Sequence, residues 1–289
     1  MDNHSDSGPK RIKTFQLSTV MAFFKRSFVK MMAWIYGACR SFIEGIIYFG
    51  GLSEYIAVKW LLRIYRSKFR LDWELSKFPP HFYNHRMGMA QFTFGETTFG
   101  PFPYFRGFFA SQVIQEGDTL LDIGCGEGFF TKRFFSANCS HVDGVDIEPS
   151  AIQCAERENA AGNIKYHLLD AVNQDFPERE YNVMVWDGAI GHFQPDTLEI
   201  MLQKIEKSLS ANGIFVGSES LGDEGSDHLT RFYSLDDFGK LFSKYFKFVE
   251  VGSREYKLNA NFTRHEAYWR CANQQDRLEK IMLNKYYTK

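Results

Sequence analysis

The sequence predicts an α/β fold, a mostly parallel sheet covered by helices and preceded by an α-helical appendage. Three observations carry this. Between positions 120 and 271, short apolar runs alternate regularly with segments of helical spacing, which is the pattern of a parallel sheet with crossover helices. Within that region the stretch Thr119-Leu-Leu-Asp-Ile-Gly-Cys-Gly-Glu-Gly-Phe-Phe-Thr131 reads as strand, glycine turn, helix. That geometry aims backbone N–H groups and a helix N-terminus at a ligand. Before it, the composition changes sharply near Pro79-Pro80, where helical spacing stops.

The elements follow in order. Residues 1–14 are polar and read as disordered. From Val20, the residues Phe24, Phe28, Met31 and Ile35 share a helical face, with Lys25, Arg26 and Lys30 on the flank and back. A second basic amphipathic segment spans about 55–69. The apolar stretch 31–53 lies between them, interrupted by Arg40 and Glu44, which stand four apart and can pair on one helical face. Residues 1–80 carry 13 basic against 6 acidic side chains, and the remainder 21 against 29. Three readings of residues 1–80 compete: a helical cap, a monotopic membrane anchor and a transmembrane helix, ranked in that order. Residues 81–111 are a linker dense in aromatics, read as a lid, in which His85 and Arg86 could meet a ligand carboxylate.

The α/β region spans 112–272, and 273–289 form a tail. Strands are expected at 120–123, 141–145, 164–169, 182–186, 213–217, 248–251 and 266–271. Helices are expected at 126–135, 149–161, 197–209 and 235–242. Ligands in such sheets bind beyond the carboxyl ends of the strands, so the strand-ending residues are the ones to read. Asp146 closes the second strand 24 residues after Asp122 and is placed to accept ribose hydroxyls of an adenosine. Asp170 closes the third and could accept from an adenine amine, and Asp187 closes the fourth. Each acid can also serve simply as a cap or turn former.

A dinucleotide fold requires glycine three positions after Gly126, where Phe129 stands. The run Leu121-Asp-Ile-Gly-Cys-Gly-Glu-Gly128, with Val145-Asp-Ile147 and His167-Leu-Leu-Asp-Ala171, resembles instead the class I S-adenosylmethionine-dependent methyltransferases. The resemblance covers about 112–217 and implies a Rossmann-like sheet whose last strand is antiparallel. It implies S-adenosyl-L-methionine as cofactor, with Asp122, Gly124, Cys125 and Gly126 around its methionine end. Asp146 then takes the ribose hydroxyls, Ile147 packs on the adenine, and Asp170-Ala171 border it, with Asp187 ending the site. The run Asp187-Gly-Ala-Ile-Gly-His192-Phe resembles a loop of small-molecule and sugar methyltransferases, where a glutamate usually stands at the position of Gly191.

The resemblance also narrows the acceptor. The N/D-P-P-Y/F/W motif of base and glutamine methylation is absent after the fourth strand, as is the paired-glutamate loop of arginine methylation. The acidic balance of residues 81–289 disfavours nucleic acid. The expected acceptor is therefore a small molecule, glycan or lipid, with O-methylation favoured. The candidate catalytic residues are His192 and His228 as bases, with Asp187, and likewise Glu219, as orienters or alternative bases. No metal is expected, because Glu219, Asp223, Glu224, Asp227 and His228 lack a recognisable ligand spacing. Five scattered cysteines without a C-x-x-C pair point to reduced thiols and a cytoplasmic location. Residues 20–70 would supply any contact with the inner face of a membrane. The alternatives are a nicotinamide-dependent oxidoreductase on the same sheet and a non-catalytic binding protein that keeps the cofactor.

Overall fold

The computed structural model describes residues 14–50, 102–178, 180–223, 228–257 and 263–279, with isolated positions 56, 60, 61, 63, 64, 67 and 85. Most of the second amphipathic segment, Pro79-Pro80, Arg86, nearly all of 81–101, Glu224, Asp227 and the end of the tail lie outside the described residues. The chain divides into two units, Met1–Pro80 and His81–Lys289, each taken by itself below.

In the first unit, α1 (Thr14–Gly50) is a single helix of 37 residues, so the amphipathic stretch and the apolar stretch that follows are one element. Arg40 donates from Nε to Glu44 Oε1 at 2.9 Å, the four-residue pairing the spacing implied. Phe24, Phe28, Met31, Ile35 and Phe42 recur at helical spacing and are exposed, as is Trp34 on their flank. No helix among the described residues is long and apolar enough to cross a membrane.

The second unit is a seven-stranded sheet in the order β3-β2-β1-β4-β5-β7-β6. Its strands are β1 (Asp118–Ile123), β2 (Cys139–Asp146), β3 (Ile164–Leu168), β4 (Tyr181–Asp187), β5 (Leu209–Ser220), β6 (Phe248–Lys257) and β7 (Thr263–Ala272). The first five pair in parallel, and β7 runs antiparallel to both β5 and β6, so the antiparallel last strand stands where it was expected. Both β5 and β6 run well past their predicted ends, because pairing with β7 continues their ladders beyond the apolar runs that mark them in sequence.

One face of the sheet is sealed by α4 (Pro195–Ser208) and α5 (Leu235–Phe242), through Leu198, Met201, Leu202, Ile205, Phe238 and Phe242. Each begins on a local signal. Pro195 occupies the first turn of α4, and Ser234 and Asp237 form a reciprocal capping box at α5. Similarly, α3 (Pro149–Glu158) starts at Glu148, whose side chain accepts from the Ser150 N–H. The opposite face carries α2 (Phe102–Ser111), with Phe109 and Ala110 packed on Leu120, Val142, Val183, Val185 and Val216.

Two expectations need correction here. Residues 102–111 are helix rather than linker, because Phe105 and Phe109, four apart, share a helical face that packs with Tyr104 against the sheet. The helix expected at 126–135 is instead one turn that widens at Thr131–Phe135, where Ser136 N–H reaches back five residues to Thr131 O at 3.0 Å. Phe129, Phe130 and Phe135 all bury on the α2 face, and their combined bulk sits in that wider turn.

Candidate functional site

The winding reverses between β1 and β4, whose carboxyl ends therefore open a crevice. Above β1 the chain turns at Gly124, Gly126 and Gly128, with φ of 70°, 53° and 72°. A side chain is strained in this left-handed region, which is why glycine alternates here. The turn is stapled to β2: Gly124 and Cys125 donate to Val145 O at 2.9 and 3.1 Å, and Gly126 N–H donates to Asp146 Oδ2 at 2.8 Å. Asp146 Oδ1 accepts from Glu148 N–H at 2.8 Å. Burial lifts the Asp146 carboxyl above its ordinary range, against those two N–H donors. Next to it, Ile147 is 67% exposed, an apolar surface facing solvent beside a polar anchor.

Asp122 lies beneath the turn, buried, and accepts from Thr131 Oγ1 at 2.6 Å. Burial pushes its carboxyl up to about 7, opposed by Thr131 and reinforced by Asp187 and Asp146. The folded state therefore holds a proton that the unfolded chain releases near pH 4. Asp122's contribution to stability is greatest below that value and is lost as the pH rises through about 7. Asp122→Asn should raise the melting temperature at pH 8 by roughly 5 °C, with the difference vanishing near pH 4. Thermal scans across that range measure it, and equal melting temperatures at pH 8 would contradict the assignment.

Burial raises the Cys125 thiol well above its ordinary value, and Asp122 and Asp146 add to this. Asp170 follows β3. Its carboxylate accepts from Val172 N–H, Asn173 N–H and Asn173 Nδ2, so it forms its own turn. The Asn173 side chain leads the causes that hold its carboxyl below the usual range. Ala171 is half-buried in the same turn, its carbonyl accepting from Lys204 Nζ at 2.6 Å.

Above β4 and β5 stands a second cluster. Sheet register sets Asp187 beside Ser218 and Ser220 beside Glu266. From α2, Arg106 Nε meets Asp187 Oδ1 at 3.1 Å, Ser218 Oγ at 2.9 Å and Glu266 Oε1 at 3.3 Å. Arg264 Nε holds the other Glu266 oxygen at 2.6 Å. Burial works against the Arg106 charge, but Asp187, then Glu266 and Glu219, hold its pKa above the ordinary value. The Ser218 hydroxyl donates to Asp187 at 2.5 Å. Asp187 is thus an ion-paired anchor for Arg106 and Ser218. Sequence reading missed Arg106, Ser218, Arg264 and Glu266. The one signal was a lone arginine inside an aromatic helix.

The histidines do come together. The loop after β5 returns across Gly191, whose carbonyl accepts from Leu229 and Thr230 N–H at 2.9 and 3.0 Å. This brings the His228 ring within 4.8 Å of the exposed His192 ring, centroid to centroid. Glu219 is buried and accepts from Gly191 N–H at 2.9 Å through Oε2, while Oε1 lies 3.7 Å from His228 Nε2. A Cβ at Gly191 would sit 2.7 Å from His228 Cδ2 and 3.3 Å from Glu219 Oε2. The Glu219 carboxylate from β5 and the His228 ring thus meet over space that a side chain at 191 would fill.

The glycine turn, the buried Asp122, the strand-ending Asp146 and the bare apolar Ile147 fit an adenosyl amino acid, with polar atoms for its ends and an apolar wall for its ring. On the sheet described above, this defines the class I S-adenosylmethionine-binding domain. Comparison with known proteins agrees. Residues 120–213 match the family model described as a methyltransferase domain. The ribosomal protein L11 methyltransferase of Burkholderia mallei is 33% identical over 76 residues, covering 26% of this chain and 24% of that protein. The carboxy-S-adenosyl-L-methionine synthase of Dichelobacter nodosus is 25% identical over 160 residues, covering 49% and 67%. Among solved structures, the N-methyltransferase NodS of Bradyrhizobium japonicum shares the fold at a TM-score of 0.50 and 17% identity, over 60% of this chain and 97% of that one. The chain thus spans only about a quarter of the first of these relatives. Residues 120–213 thus match a methyltransferase domain on a Rossmann-like sheet of the class I type, and these similarities make S-adenosyl-L-methionine the cofactor. The nicotinamide alternative falls with that result.

Proposed function

We propose that this protein O-methylates a small-molecule, glycan or lipid acceptor, with His228 as general base. The observation that carries the proposal is the His228–Glu219 pair beside His192, set where β4 and β5 end. When bound, S-adenosylmethionine supplies an electrophilic methyl group on a sulfonium. Asp122, the glycine turn, Asp146 and Ile147 hold and orient it. His228 would take the proton of the acceptor hydroxyl as that oxygen receives the methyl group. Glu219, at 3.7 Å, is too far for a hydrogen bond but close enough to stabilise the imidazolium that forms. His192 lies beside His228 and faces solvent, a position suited to contacting the acceptor.

Transfer of labelled methyl into fractionated host extract tests this. Label should enter the small-molecule, glycan or lipid fraction. His228→Ala should cut its rate about 10²–10⁴-fold, and leave S-adenosylhomocysteine affinity unchanged. Unaltered transfer by His228→Ala would remove it as the base. Label in the protein fraction would assign this chain an acceptor of the kind named by the ribosomal protein L11 relative. Transfer to no fraction, with cofactor bound, would favour the non-catalytic alternative.

A second reading concerns α1. Its exposed aromatic stripe, with Trp34 74% exposed, and the basic balance of residues 1–80 favour peripheral binding to an anionic membrane surface, with the catalytic domain in the cytoplasm. Vesicles containing phosphatidylserine should pull the protein down at low salt and release it as salt rises. The triple variant Phe24→Ser, Phe28→Ser, Trp34→Ser should stay in solution. Equal sedimentation of the triple variant would remove the membrane reading.

A further inference from the structure

A cluster outside the crevice has the composition of a metal site. Asp143 lies in the middle of β2, 1% exposed, with Leu121 and Lys165 as its register partners. A carboxylate there must be compensated, since an ionised group withdrawn from water is costly. Tyr181 donates its hydroxyl to Oδ2 at 2.9 Å. Two imidazoles converge on Oδ1, with His167 Nε2 at 2.6 Å and His141 Nε2 at 3.1 Å. The Glu178 carboxylate completes the group: its ligand atom and those of His141 and Asp143 all lie within 4.8 Å of one another.

The fold brings these side chains together deliberately from three places. His141 and Asp143 alternate onto one face of β2, and His167 reaches that face from edge strand β3. Glu178 arrives on the loop before β4. That loop is tied down twice: Lys204 of α4 donates to Ala171 O and Gln174 O, and Glu178 N–H donates to Tyr181 Oη at 3.0 Å.

We infer that His141, Asp143, His167 and Glu178 bind one divalent transition-metal ion of the zinc, cobalt or nickel type. Nitrogen and oxygen ligands about 2.0–2.1 Å from a shared cation stand roughly 3 Å apart; His141 lies 3.1 Å from Asp143, and His167, at 2.6 Å, needs only a small outward shift to take its place. Two imidazoles with carboxylates suit these ions, whereas magnesium prefers oxygen and water. His141 is 37% exposed and Glu178 is exposed, which gives an ion a route in from solvent. The bound ion fastens edge strand β3 to its neighbour and fixes the loop that carries Asp170 and Ala171. The competing arrangement has both histidines as neutral Nε2–H donors to one oxygen, and it needs no ion.

The test uses the full chain, stripped with chelator, desalted and titrated with zinc in a calorimeter. One zinc per chain should bind, and a hundredfold excess over the dissociation constant should raise the melting temperature by about 5 °C. Cobalt in its place should give visible ligand-field absorption, and magnesium should bind nowhere at the same concentration. His141→Gln with His167→Gln should weaken zinc at least roughly a hundredfold, beyond what loss of an outer-shell partner costs. His192→Gln with His228→Gln should leave zinc affinity unchanged. If the double variant at 141 and 167 fails to fold, the exposed single variant His141→Gln should still bind about tenfold more weakly. No stoichiometric zinc binding, or unchanged affinity in the folded 141 and 167 variants, would overturn the assignment.

Discussion

Arg106→Met should destabilise the domain by about 3–5 kcal/mol, lowering the melting temperature at pH 8 by about 10 °C or more. Methionine keeps much of the volume, so the loss is electrostatic. Without the guanidinium, among the described residues Ser218 still meets Asp187, while Arg264 and Ser218 still meet the fully buried Glu266. Burial already lifts the Glu266 carboxyl above its ordinary range, against the pull of both arginines. Losing one arginine raises it further. The folded variant then binds more protons than the unfolded chain, so its stability falls as pH rises through neutrality and returns as pH falls towards 5. Thermal scans of the variant from pH 5 to 8 should show that slope. A melting temperature equal to the parent's at every pH would mean that the cluster contributes nothing to the fold.

Asp146→Ala should weaken S-adenosylhomocysteine by about a hundredfold or more, measured by calorimetry. A carboxylate accepting two hydroxyls makes charge-assisted bonds of about 1.5–3 kcal/mol each. The same substitution frees Gly126 N–H from its anchor and loosens the turn that faces the ligand. Asp170→Ala, by contrast, should cost less than about tenfold, because that carboxylate is engaged in its own turn. Equal losses at the two positions would contradict the roles that the geometry gives them.

The sheet and the cofactor end of the site were legible because their signals are local. Apolar runs mark β1, β2 and β4, and the glycines at 124, 126 and 128 announce a turn that no other residue adopts without strain. Asp122 and Asp146 follow from their positions in and at the ends of strands. The acceptor side was less legible because it is assembled by register. Nothing near Arg106 in sequence points to Glu266, which reaches it only because β7 pairs with β5 at Ser220. Glu219 and His228 were both visible as candidates, but their meeting over Gly191 depends on how the loop after β5 returns. The cluster around Asp143 was hidden for the same reason, its ligands lying on β2, β3 and a loop. Residues 102–111 misled in the opposite sense. A dense run of aromatics reads as a lid, while the helical spacing within it needs the sheet to explain it.

The central claim is that the crevice at the carboxyl end of β1, bordered by Asp146 of β2, holds an adenosyl amino acid. Calorimetric titration of the purified chain with S-adenosylhomocysteine, and separately with NAD, tests it most directly. One S-adenosylhomocysteine per chain and no heat from NAD is the expected result. Binding of NAD alone, or of neither ligand by folded protein, would contradict it.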